Sequence, residues 1–293
     1  MTVGSIVVGL DGSEHAQRAL DWAAEQASLE GRTLTLMCAG VEISMMYEGW
    51  IAQAAMSSAE LRRELEEASR QLIEEATARV AEHFPKVTVE SRIISADPRN
   101  ALIDASEVAS LIVVGSRGRG PVRSTLMGSV SAAIARSSAC PVVVCRPHPE
   151  NTSRGVVVGA DGSAASLPVI EFAFRQASLR GLPLTVMHCL WDVQGAIYGV
   201  MPRDPEDAKL MLSESVAGLG EEFPDVVVTL ELATGLVTDT FAEIAHQVDL
   251  LVVGRHQYGL LSRIVYGSLS IAILERSETT VALVPEADPD EAS

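Results

Sequence analysis

The chain has 293 residues, 47% hydrophobic but only 4% aromatic, and a formal charge of −17 from 39 acidic against 22 basic side chains. That acidity excludes a broad nucleic-acid-binding face, and no stretch approaches the roughly 18 apolar residues that a membrane span requires. A core built from Val, Ile, Leu and Ala fits strands covered by helices on both faces.

In chain order, Ser5–Leu10 reads as a first strand ending at Asp11-Gly12-Ser13, with Ser13 placed to cap a helix. Ala16, Leu20, Ala23 and Ala27 recur at helical spacing, and Gly31 closes that helix. Leu34–Ala39 is a second strand, followed by a variable segment, Gly40–Ser57. Its Met45, Met46, Tyr47, Trp50 and Met56 read as a lid packed on its own domain, with a partner-docking patch as the alternative. Leu61, Leu65, Ala68, Leu72, Ala76 and Val80 mark the apolar face of a long charged helix that Pro85 ends. Val87–Ile94 is strand three, and Asp97-Pro98 supplies the N-cap and first residue of helix three. Leu111–Gly115, Gly128–Ser138 and Val142–Cys145 are strand, helix and strand. Trp22 and Phe172 read as core residues at equivalent positions of two repeats.

The repeat is explicit. Residues 5–38 align without gaps on 155–188 with fifteen of 34 positions identical, including Val-Val-Gly-x-Asp-Gly-Ser. The second half repeats the order of elements through Val156–Ala160, Leu184–Cys189, Val226–Leu232, Leu250–Gly254 and Val281–Val284, with helices between them and a last helix from Gly267. The division is therefore 1–146, a proline-punctuated linker 147–154, 155–285, and an acidic tail 286–293 expected to fray. Strict β-α alternation implies parallel sheets with right-handed crossovers, and a ligand at the carboxyl ends of the strands where the winding reverses.

Two clusters fall at such strand ends. One is Gly9-Leu10-Asp11. The other is Gly115-Ser116-Arg117-Gly118-Arg119-Gly120, followed by Gly128-Ser129-Val130, a G-x2-G-x9-G-S pattern between a strand and a helix start. Glycines there let backbone N–H groups approach an anion, and the helix end adds its positive pole. The second half carries a looser copy at Gly159, Asp161, Gly254, Gly259, Gly267 and Ser268, with Gln257 in place of the middle glycine. Cys38, Cys140, Cys145 and Cys189 lie in or beside apolar runs without a C-x2-C pattern, and the six histidines form no metal-binding spacing. With no basic n-region or cleavage site before the first strand, a cytoplasmic protein is expected, with no metal held by side chains alone.

Both halves resemble the universal stress protein family in its tandem form. The carriers are the glycine motif at Gly115, Gly118, Gly128 and Ser129, the V-G-x-D-x-S motif at Gly9, Asp11 and Ser13, and the closing C-P-V-V-V at Cys140–Val144. The resemblance implies two Rossmann-like α/β domains, each a five-stranded parallel sheet of order 3-2-1-4-5 flanked by helices. It also implies ATP binding in the branch that has the full motif, and dimer formation through the last strand. Asp11 then takes the adenosine end. Gly115–Gly120 wraps the phosphates with Arg117 and Arg119, and Gly128-Ser129-Val130 holds phosphate oxygens or their magnesium.

The expected function is a regulatory sensor or switch that holds ATP, not a fast enzyme. No P-loop Lys-Ser/Thr and no Walker-type aspartate are evident, and Ser13 and His15 are too close in sequence for a triad. The rival is an ATP-using transferase or slow ATPase of a related fold. Its H-I-G-H or S-G-G-x-D-S signatures do not occur. The two halves are expected to pair through Val142–Cys145 and Val281–Val284 as an internal pseudo-dimer, with a homodimer and a regulatory protein partner as further possibilities. Gln257 is expected to weaken the second site.

Overall fold

A computed structural model describes residues 1–40, 55–118, 127–147, 152–190, 204–255 and 269–287, with the side chains of 55–62 left aside. The chain divides into two compact units, Met1–Cys145 and Arg146–Ser293.

In the first unit the strands are β1 Ile6–Leu10, β2 Leu34–Gly40, β3 Val89–Ser95, β4 Leu111–Gly115 and β5 Val142–Cys145. They pair in parallel in the order β3-β2-β1-β4-β5, so the winding reverses between β1 and β4. β1 and β4 are continuous apolar runs because helices cover both of their faces, and Ile6, Val7, Val8, Ile112 and Val113 are fully buried. The edge strand β3 is mostly exposed and carries Glu90 and Arg92, charges that discourage pairing with another chain.

The helices are α1 Glu14–Glu30, α2 Ala55–His83, α3 Pro98–Ser106 and α4 Ser129–Ser137. Right-handed crossovers put α1 with α2 on one face and α3 with α4 on the other. Ser13 caps α1 by accepting from the Ala16 N–H at 3.1 Å, and Gly31 ends it in the left-handed region at φ 64. Ala16, Ala19, Ala23, Ala24 and Ala27 are all buried, and these small side chains let α1 lie close on β1 and β4. Asp97 caps α3 through the Arg99 N–H, with Pro98 in the first turn.

The apolar face expected for α2 holds only over its C-terminal half. Ile73, Ala76 and Val80 are buried, whereas Leu65 is 47% exposed and Ala68 is exposed. Twenty-nine residues of helix span about 43 Å, against about 23 Å for the seven-residue strand β2 beneath, so the helix overshoots the sheet. The expected lid at 40–57 lies almost wholly outside the described residues.

The second unit repeats this plan with β6 Val156–Gly159, β7 Leu184–Cys189, β8 Val228–Ala233, β9 Leu250–Arg255 and β10 Val281–Pro285. They are ordered β8-β7-β6-β9-β10, all parallel. Its helices are α5 Leu167–Arg180, α6 Pro205–Glu222, α7 Val237–Ile244 and a helical stretch at 269–276. Here the first turn before α5 is a 3-10 turn, Ala164–Ser166. Pro168 stands where α1 has Arg18 and has no N–H to give the carbonyl of Ala164, so an α turn cannot start there. Trp22 and Phe172 are half-buried, not core; Phe174 is fully buried, and its ring lies 5.9 Å from that of Phe223.

Candidate functional site

In the first unit the chain turns sharply after β1. Gly12 adopts φ 76, a conformation that side-chain-bearing residues rarely adopt, and this lets the Asp11 carboxylate accept the Ser13 N–H at 2.9 Å through Oδ1. The other carboxylate oxygen, Oδ2, sits against the Cα of Gly118 so closely that a Cβ there would collide with it. The loop after β4 therefore folds back over the end of β1.

The helix that follows closes the same corner. A Cβ on Gly128 would lie 3.4 Å from the Cα of Arg117 and 3.6 Å from the Gly118 nitrogen. The Gly128 N–H donates to the Ser116 carbonyl at 2.8 Å. Ser131 Oγ donates back to the Gly128 carbonyl at 3.0 Å and lies 3.3 Å from the Ser116 carbonyl. Gly128 is the N-cap of α4 and offers no side chain, so among the described residues no side chain caps the first-turn N–H groups of Ser129 and Val130. Asp11, Arg117, Gly118, Gly128, Ser129 and Val130 thus converge where the winding reverses.

Two glycines of these clusters are also needed for packing. A Cβ on Gly9 would meet Leu102 Cδ1 at 3.1 Å, and one on Gly115 would fall 2.6–2.8 Å from the His15 backbone and Cβ. Both glycines give room to packed helices. Ser116 is buried, with its N–H on the Cys145 carbonyl at 3.1 Å. Arg119 and Gly120 lie outside the described residues.

His15 belongs to this site although the sequence did not indicate it. Its Nδ1 is 3.2 Å from Ser116 Oγ, which ties the first turn of α1 to the loop. Burial first, then the guanidinium groups of Arg18 and Arg117, push its pKa below the ordinary value, while the carboxylates of Glu14 and Asp11 oppose this. No spacing rule joins residue 15 to residue 116. The bracing role of Ser131 carries no sequence signal either. A separate recess of about 460 Å³ opens between α1 and α2, lined among others by Leu10, Ser13, Ala16, Leu72 and Arg79.

In the second unit Asp161 repeats the turn, accepting the Ser163 N–H at 2.9 Å across Gly162 at φ 76. Gly159 makes room for Phe241, whose Cζ would lie 2.8 Å from a Cβ there. Gly254 lies against the Glu286 carboxylate, which a Cβ would strike. Gln257, Gly259, Gly267 and Ser268 lie outside the described residues. The tail does not fray at once: the Glu286 N–H donates to the Arg255 carbonyl at 3.2 Å and the Ala287 N–H to the Ala165 carbonyl at 3.1 Å.

The sequence profile of the universal stress protein family matches the chain twice, over residues 2–146 and 152–285. The chain belongs to the universal stress protein family. A universal stress protein of Mycolicibacterium smegmatis is 33% identical over 288 residues, covering 95% of this chain and 96% of the relative. One of Mycobacterium tuberculosis is 32% identical, covering 96% of each. A universal stress protein from Archaeoglobus fulgidus shares the fold at 20% identity, with a TM-score of 0.67 and 97% of each chain covered. The similarity thus runs over nearly the whole length of these relatives, as the two family matches do over this chain.

Proposed function

We propose that the first unit binds ATP and that the protein acts as a nucleotide-dependent sensor or switch in a stress response, not as a fast enzyme. The observation that carries this reading is the meeting of Asp11 with Gly118 and Gly128 at the reversal between β1 and β4. A carboxylate at the strand end suits ribose hydroxyls or the adenine amino group. Beside it, closely approached glycine backbone, the Arg117 guanidinium and the open first turn of α4 suit phosphates. Magnesium arriving with the phosphates would find the exposed Ser129 hydroxyl at the helix start, where it would neutralise phosphate charge.

A partner surface that changes with nucleotide occupancy completes the reading. Pairing of the two halves through their last strands, and a homodimer of whole chains, belong to it as proposals. Separately expressed halves that remain stable monomers would count against the pairing. Among the described residues no helix is long and apolar enough to cross a membrane. Burial of Cys38, Cys140 and Cys145 supports residence in the cytoplasm.

The test is a mass spectrum of small molecules released on denaturing the purified protein, followed by calorimetric titration with ATP. Adenine nucleotide in near-stoichiometric amount, lost in the Asp11→Ala variant, is the expected result. Turnover exceeding a few cycles per hour would favour the slow ATPase instead. A protein that neither retains nor rebinds adenine nucleotide overturns the reading.

A further inference from the structure

The helices α1 and α2 meet differently from their counterparts α5 and α6. Phe84-Pro85 and Phe223-Pro224 mark the same turn, and Val89 and Val228 pair with the equivalent residues Leu34 and Leu184. The C-terminal part of α2 therefore aligns without gaps on α6, with Leu72 at the place of Met211 and Arg79 at that of Gly218. In the second unit α6 lies directly on the turn before α5: a Cβ on Gly162 would stand 3.1 Å from the Met211 Cβ and 3.2 Å from its carbonyl carbon. In the first unit Gly12 and Leu72 instead line the recess of about 460 Å³. A bidentate ion pair joins the two helices there, with Arg79 donating from Nε and Nη2 to the Asp21 carboxylate at 2.6 and 2.8 Å. In the second unit Gly218 replaces Arg79, and Glu171, at the place of Asp21, pairs with Arg175 of its own helix at 2.9 Å.

We propose that the recess between α1 and α2 binds a hydrophobic amine, an organic cation with an apolar body. Its volume falls within the roughly 300–1,000 Å³ of small-molecule sites. Its floor is apolar, made of buried Leu10, Ala16, Leu20 and Ala76 with half-buried Leu72. The rim sets the charge. Glu75 and Glu82 line the recess from one face of α2, and both are exposed. Glu75 accepts an amide hydrogen bond from Gln71 at 3.1 Å, which leaves its negative charge in place. Arg79, the cation among the lining residues, has its guanidinium committed to Asp21. An anionic head group would therefore meet two carboxylates and no uncommitted cation among these residues, whereas an ammonium group would meet two opposite charges. The formal charge of −17 adds a long-range attraction for a cation. Apolar contact holds the body in the recess, and the carboxylates select the head.

The experiment is calorimetric titration of the full chain at low ionic strength with phenylbutylamine, phenylbutanol and phenylbutyrate, which share one apolar body and differ in the charge of the head. The expected result is saturable binding of the amine, about tenfold tighter than that of the acid, with the alcohol between them. The double variant Glu75→Gln/Glu82→Gln should bring amine and acid to within about twofold of each other and leave the alcohol unchanged. Ala76→Phe, which fills the floor, should abolish binding of all three. Should that variant fail to fold by circular dichroism, Gln17→Trp blocks the recess from an exposed position of its rim and leaves the core intact. Equal affinities for amine and acid in the wild type overturn the proposal. An amine preference that survives the double variant overturns it as well, as does amine binding that survives the filling variants. Absence of saturable binding by all three probes overturns it outright.

Discussion

Asp11 and Gly118 are in contact through the one face of Gly118 that a side chain would occupy. The contact fixes the Asp11 carboxylate between two anchors, the Ser13 N–H on one oxygen and the Gly118 backbone against the other. It also explains the glycine without reference to backbone strain, since Gly118 is absent from the residues at positive φ. Gly118→Ala should therefore displace Asp11 and lower ATP affinity about tenfold, or ~1.4 kcal/mol. Asp11→Ala should lose ~1–3 kcal/mol. Because both act through one carboxylate, the double variant should bind no worse than Asp11→Ala alone; strict additivity in the titration would assign Gly118 a contact of its own with the phosphates.

His15 should make stability depend on mildly acidic pH. Its pKa in the folded chain lies below the ordinary 6.5, so as pH falls through 6.5 the unfolded chain takes up the proton first. Stability drops until the folded pKa is reached and is flat below it. His15→Gln should flatten that limb of a urea-midpoint against pH curve; an unaltered slope would mean that another group carries it. Bound ATP should oppose the effect, since phosphate charge favours the imidazolium.

Asp97 works in the opposite sense. Its bidentate contact with Arg99 and the capping bond from the Arg99 N–H lower its pKa from 3.8 to about 2. The stabilisation is complete above pH 3.8 and is lost as pH falls toward about 2. Asp97→Ala should cost ~1 kcal/mol at neutral pH, the usual value of a helix cap, and the difference from wild type should vanish near pH 2. The side chain is one-third exposed, so salt should weaken the ion pair more than the cap.

The two copies of one buried glutamine should respond differently to the same change. Gln26 donates from Nε2 to Glu30 at 2.6 Å, whereas Gln176, fully buried, faces Arg180 with its carbonyl at 3.4 Å, and its Nε2 finds no acceptor among the described residues. The exchange of Glu30 for Arg180 reverses the amide and strands its donor. Gln26→Met should destabilise by ~1 kcal/mol, while Gln176→Met should be neutral or stabilising by up to ~1 kcal/mol. Urea midpoints of the full-length variants decide it, and equal losses from both would contradict the asymmetry.

The sequence determined much of this protein by itself, because the deciding forces were local or periodic. Continuous Val-Ile runs specify strands buried on both faces. Ser13, Gly31, Asp97 and Pro98 set helix ends through caps that need only near neighbours, and the repeat makes the second unit a copy of the first. The tertiary structure alone decided what depends on contacts between distant segments. It brings residue 118 to residue 11 and His15 to Ser116, and it turns Gly9 and Gly115 toward packed helices. It leaves the N-terminal half of α2 beyond its sheet, because helical rise and strand length do not match over that span. It also folds Glu286 back onto Gly254, where the acidic composition of the tail had suggested only fraying. A side chain's chemistry is written in the sequence, but which empty space it fills depends on what its neighbours leave open, and Ala165 in the place of His15 left that space for Glu286.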